Sequence, residues 1–185
     1  MKALMFVPLI LAAAVAMAQA EEAAPDLIEG YRTGDFVQML PGKVLDLQLL
    51  ETQSTPEKHS LRAQYRAADQ SSLSDVLIYA PQGQAIEDEV AALQTAVADV
   101  EKVLAGRGLS PARHQITSSG GEALSCISAP QADGKSLYSY CAAVAKGRLI
   151  AVQVTSQLNG QSADQARAHA DAFAGEMVDT IATAA

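Results

Sequence analysis

Cysteine, histidine, serine and paired carboxylates carry most protein chemistry, and in this chain their spacing argues for structure more than for catalysis. Cys126 and Cys141 are the only cysteines. Fourteen residues separate them, unlike the Cys-x-x-Cys at a helix start that lowers a thiol's pKa for redox work. They are expected to form a structural disulfide. His59, His114 and His169 are scattered, with no His-x-x-x-His and no Cys-x-x-Cys beside them, so no metal centre and no cofactor are expected. His169 and Asp171 stand two apart, which on a helix points them in different directions. No Gly-x-Ser-x-Gly elbow occurs, and Ser118-Ser119-Gly120-Gly121 reads as a loop. Glu87-Asp88-Glu89 precede an expected helix, where carboxylates complement the dipole. Glycoside chemistry would instead need a buried acid of raised pKa. No catalytic residue is assigned, and the reading leans away from an enzyme.

Two surface features could bind a ligand or partner. Arg62 and Arg66 flank Gln64 on one face of an expected strand; they could hold an anion, although such a row is also the ordinary solvated face of a strand. Tyr138 and Tyr140 share a strand face as well. They could line a groove, or be half-covered by the N-terminal segment.

The elements that must position these residues follow from periodicity. Lys43 to Leu50 is strand-like, with Leu45, Leu47 and Leu49 expected on one face. Leu61, Ala63, Tyr65 and Ala67 alternate with polar residues, a period of two. Val76 to Tyr79 is a third strand, ended by Pro81-Gln82-Gly83. Ile86, Val90, Leu93, Val97, Val100 and Leu104 are then spaced four and three apart, the stripe of an amphipathic helix, and Gly106 and Gly108 stop it. A weak strand at 114–117 and stronger ones at 123–128, 137–145 and 148–156 come next. Ser162-Ala163-Asp164-Gln165 matches a capping box and opens a last helix with Ala166, Ala170, Phe173, Met177 and Ile181 inward. The order is three strands, a helix, three or four strands, and a helix. This predicts an α+β fold, an antiparallel sheet with two amphipathic helices packed on it. In element order it resembles the α+β domains of the Mog1/PsbP-like group; the resemblance rests on no signature motif and implies no activity.

The cysteines fix one register. If Cys126 faces Cys141 across a hairpin, its centre lies between Asp133 and Gly134, where a turn is signalled. A two-residue loop would place Pro130 at a hydrogen-bonded pair, where it has no amide to give. A four-residue loop, Ala132 to Lys135, puts Pro130 and both cysteines at non-hydrogen-bonded sites. The four-residue loop is expected, with Ile127 opposite Tyr140.

The beginning of the chain sets the compartment. Lys2, an apolar run from Ala3 to Ala16, and Ala18-Gln19-Ala20 have the order of a secretory signal peptide cleaved before Glu21. Residues 1–20 are therefore read as signal, 21–42 as an N-terminal extended segment and 43–185 as one domain. Cleavage removes one of 13 basic residues and none of 21 acidic ones, moving the net charge from −8 to −9. So acidic a chain lacks the footprint that holds nucleic acid. The expectation is a periplasmic or secreted, soluble, non-enzymatic domain that binds a protein or an envelope component. A small-ligand carrier with a sheet–helix cavity and an enzyme with a dispersed site are the alternatives. Intact-mass analysis of exported material should find Glu21 as the first residue; a mass retaining Met1 to Ala20 would refute the cleavage.

Overall fold

The structure, a computed structural model, describes residues 26–185; the expected signal peptide, its cleavage site and residues 21–25 lie outside the described residues. A one-turn helix, α1 (Phe36–Met39), comes first. Strands β1 (Lys43–Val44), β2 (Leu47–Thr55), β3 (Ser60–Ala67) and β4 (Ser72–Tyr79) follow, then helix α2 (Glu89–Gly106). The second half contains β5 (Ala112–Thr117), β6 (Ala123–Pro130), β7 (Ser136–Ala145), β8 (Arg148–Gln157) and helix α3 (Ala163–Thr183). All eight strands form one antiparallel sheet in the order β1-β2-β3-β4-β8-β7-β6-β5. Two four-strand meanders thus meet along β4 and β8.

The α+β class and the antiparallel sheet stand as expected, while the element count differs in two places. Four strands precede α2, not three, because Leu45-Asp46 makes a tight turn that splits the first strand. Leu45 has φ +51° there and its side chain is exposed, so it leaves the face shared by Leu47 and Leu49. A register shift between Leu49 and Glu51 leaves Leu50 as the unpaired residue of a bulge, with its side chain exposed. Second, residues 26–42 are not simply extended. Phe36, Met39 and Leu40 fall on one side of α1 and its cap and are buried, so a third helix forms where alternation was absent.

Alternation decides which side chains reach each layer. Leu61, Ala63 and Tyr65 of β3, Val76 and Ile78 of β4, and Ile150, Val152 and Val154 of β8 point to one face. There they meet Phe173, Met177 and Ile181 of α3 together with Phe36 of α1. The inward stripe predicted for α3 is buried in full. Its capping box is formed too: Gln165 N–H donates to Ser162 Oγ at 3.2 Å, and Ser162 N–H to Gln165 Oε1 at 2.9 Å. Tyr65 stacks edge-on against Phe173 and donates its hydroxyl to the Pro41 carbonyl at 2.9 Å, which satisfies the polar tip of a buried ring.

The opposite face is covered only in part. Helix α2 lies over β6 and β7, where Ala96 and Val97 bury Ile127, Tyr140, Ala142, Leu149 and Ala151. Asp88 caps this helix by accepting the Ala91 amide at 2.9 Å. Val90, expected in the inward stripe, is 66% exposed; it lies in the first turn, at the rim of a cleft that α2 forms with β5 and β6. Among the described residues, no helix is long and apolar enough to cross a membrane.

The cysteine hairpin has the register derived from Pro130. Cys126 pairs with Cys141, Ile127 with Tyr140 and Pro130 with Leu137. Gln131 N–H donates to the Ser136 carbonyl at 2.9 Å, which closes the four-residue loop from Ala132 to Lys135. The cysteines are disulfide-bonded with their Cα atoms 4.1 Å apart, the close approach of a non-hydrogen-bonded pair. Replacing Cys141→Ser should lower stability by about 3 kcal/mol, or roughly 10 °C in Tm for a chain of this size. Thermal unfolding followed by circular dichroism without reductant reads this directly, and an unchanged Tm would show that the bond contributes little.

Candidate functional site

The incomplete cover of the second face creates a groove. Helix α2 crosses β7 at an angle that leaves its C-terminal half as one wall, formed by Asp99, Val100, Val103, Leu104 and Arg107. The floor is Tyr138 of β7 with Gln153 and Thr155 of β8, and the β6–β7 loop closes one end through Gln131 and Asp133. The groove encloses about 720 Å³. Its apolar groups are Val100, Leu104 and the body of Tyr138; Val103, 53% exposed, forms the lip. Both charge signs stand at its edge in Asp99, Asp133 and Arg107.

Tyr138 is the group in the floor with adaptable hydrogen-bonding capacity. Burial, opposed by Arg107 and reinforced by Asp75, pushes its phenol up to about 12. The hydroxyl therefore remains protonated across the physiological range and can both donate and accept. Gln153 and Thr155 add an amide and a hydroxyl next to it, since Tyr138 pairs with Thr155 and Tyr140 with Gln153 across the strands.

The candidate residues named from the sequence separate here. Tyr138 faces the groove, whereas Tyr140 is buried beneath α2 against Ile127 and contributes packing. Helix α2, not the N-terminal segment, covers both tyrosines; the N-terminal segment packs on the α3 face, where α1 supplies Phe36. Arg62 and Arg66 do lie on the exposed face of β3. Arg62 is already engaged, with Nη2 2.6 Å and Nε 2.9 Å from Asp75 Oδ1, and Gln64 donates to the same oxygen at 3.3 Å. Arg62 is therefore paired with Asp75, while Arg66 lies exposed on the same face. Val103, Arg107, Gln153 and Thr155 were not singled out from the sequence. A signal existed in β8: after the apolar run Leu149–Val152, Gln153 and Thr155 stand at a spacing of two around Val154, which marks a face that the core does not need.

A second cluster lies on the α3 side of the far sheet edge. His114 Nε2 is 3.0 Å from each carboxylate oxygen of Asp171, and the disulfide lies directly beneath, with Cys141 Sγ 3.7 Å from Asp171 Oδ1. His169, by contrast, pairs with Asp46 at 2.6 Å on the surface.

The third polar assembly fastens the N-terminal segment. Arg148 is fully buried at the start of β8. Its guanidinium donates to Thr33 Oγ1 at 3.1 Å, the His59 carbonyl at 3.0 Å, the Tyr31 carbonyl at 3.3 Å and Asp26 Oδ1 at 3.4 Å. Asp26 also accepts the Thr33 hydroxyl and amide at 2.5 and 3.0 Å and contacts His59 Nδ1 at 3.2 Å. Burial alone would raise the Asp26 carboxyl, but the Thr33 hydrogen bonds, Arg148 and His59 together hold it below the usual carboxylate range.

Comparison with known protein families and with curated proteins finds no match to this chain.

The Asp26 assembly sets a pH dependence with a definite sign. A carboxyl whose folded pKa is lowered contributes stability that is present above its unfolded value, about 4, and lost as pH falls through the lower folded value. Asp26→Asn should reduce stability at neutral pH by about 3 kcal/mol, since it leaves a buried guanidinium without its counter-charge. It should also flatten the loss of stability below pH ~4. Urea unfolding of both proteins at several pH values tests this, and parallel pH profiles would defeat the assignment.

Proposed function

We propose that this protein is a non-enzymatic binding module of the cell exterior or envelope, and that the groove beside α2 receives a segment of a partner protein. The observation that carries the reading is the groove's form: open to solvent along its length, with an apolar wall, a polar floor and both charge signs at the rim. A small-molecule pocket commonly encloses most of its ligand, whereas an extended segment needs a trench with an apolar strip and hydrogen-bonding groups along it. Val100, Val103 and Leu104 supply the strip. Tyr138, Gln153 and Thr155 supply donors and acceptors, and Arg107, Asp99 and Asp133 place both charge signs at the rim. The buried disulfide and the absence of a long apolar helix among the described residues are compatible with a role outside the cytoplasm.

A photo-reactive residue placed at Val103 should yield a discrete protein adduct in the native host, and Arg107→Glu in the same chain should suppress it. The same probe at Gln53, exposed on β2, should give none. Equal adducts from both positions, or none from Val103, would sink the proposal, and a small mass gained in native mass spectrometry would favour a ligand carrier.

A further inference from the structure

Four side chains with metal-ligating chemistry converge at the β5–β6–β7 edge. His114, Cys126 and Cys141 form one cross-strand row, His114 opposite Cys126 and Cys126 opposite Cys141, and Asp171 descends on them from α3. Ligand atoms of His114, Cys126 and Asp171 all lie within 4.8 Å of one another. The sulfurs are at present bonded to each other, and a disulfide has no thiolate to offer a metal. Reduction would supply two.

Tetrahedral zinc with bonds of 2.0–2.3 Å has ligand–ligand edges of about 3.3–3.8 Å. The His114–Asp171 separation of 3.0 Å and the Cys141–Asp171 separation of 3.7 Å are near those edges before any movement. The two sulfurs need only separate from bonded to non-bonded distance, and their strands already hold the Cα atoms 4.1 Å apart. Access exists on the α3 side, where a cleft of about 450 Å³ between β5 and α3 is lined by Ile116 and Asp171.

We infer that reduction of the Cys126–Cys141 disulfide converts this corner into a zinc site whose ligands are Cys126, Cys141, His114 and Asp171. A dithiol supplies two electrons and two protons, becomes a disulfide itself, and leaves two thiols in the protein. Zinc binding then displaces both thiol protons to solvent. The sequence spacing hides this site, because its ligands come from three adjacent strands and a helix instead of a contiguous motif. The site is separate from the groove beside α2, and its test does not depend on that reading.

The experiment uses the mature chain, oxidised or reduced with a phosphine under argon, titrated with Zn²⁺ against a chromophoric chelator and with Co²⁺ by visible absorption. Reduced protein should take up one Zn²⁺ per chain and give the cobalt–thiolate charge-transfer band; oxidised protein should do neither. Reduced His114→Ala and Asp171→Asn should each bind at least ~10-fold more weakly. Equal binding by the oxidised protein, no binding by the reduced protein, or undiminished binding by both variants would overturn the inference. If reduction unfolds the chain, circular dichroism settles the matter. Zinc should restore the folded spectrum of wild type but not of His114→Ala, and failure to restore wild type counts against the site.

Discussion

One buried charge constrains the architecture more than any other group. Arg148 lies at the start of a central strand with its guanidinium shut off from water, and such a charge is tolerable only when nearly every donor is matched. Its partners come from distant parts of the chain: Asp26, Tyr31 and Thr33 from the N-terminal segment and His59 from the entry to β3. Among the described residues, Nε is the one donor of the group without a partner. The packed face of Phe36 lies 5.2 Å from the guanidinium carbon, where the ring's negative quadrupole adds attraction. Residues 26–42 are therefore fastened to the sheet, and α1 is placed where it closes the core beside α3. Lys146 repeats the logic at the neighbouring turn, donating to the Tyr31 hydroxyl at 3.0 Å and the Ala184 carbonyl at 2.8 Å. The beginning and end of the described chain are fastened to the same sheet end.

With α1 and α3 committed to one face, α2 alone is left for the other. One helix cannot cover eight strands, so much of the β2–β3–β4 half of that face is exposed. Arg62, Gln64, Arg66 and Asp75 give it polar cover, with Arg62 paired to Asp75, while Leu73 stays exposed and Leu77 and Tyr79 pack at the edge of the α2 cluster. The groove marks the border between the covered and the solvated parts of the same surface. Its mixed lining follows from that position: α2 contributes residues from the edge of an apolar stripe, and β7 and β8 contribute the last side chains before the sheet turns polar.

Much of this was legible in the sequence because it depends on local periodicity. The stripes of α2 and α3, the Ser162–Gln165 capping box and the alternation of β3 each follow from side-chain direction along a single element. The cysteine register was legible for a different reason: a proline without an amide and a pair that must face each other leave one alignment. Three features were not. The β1–β2 split turns on Leu45 adopting a left-handed conformation, which a leucine does not announce. Helix α1 is too short to show a period, and its stability comes from packing. The pairing of His114 with Asp171, like the burial of Arg148, is decided by which elements meet, and pairings 57 and 122 residues apart leave no mark on the residues between them.

The junction of the two meanders has a consequence for how the chain reaches this state. Within each meander the strands are sequence neighbours, and closing their turns confines only a few residues at a time. Between β4 and β8 the pairing begins at Ser72 and Ser156, 84 residues apart. Loop-closure entropy grows with such separations, and non-local pairings slow folding. Each half can therefore be knitted from its own hairpins at small entropic cost, while their union requires the whole intervening stretch to be organised at once. The eight residue pairs from Ser72–Ser156 to Tyr79–Leu149 are where two locally assembled halves become one cooperative molecule.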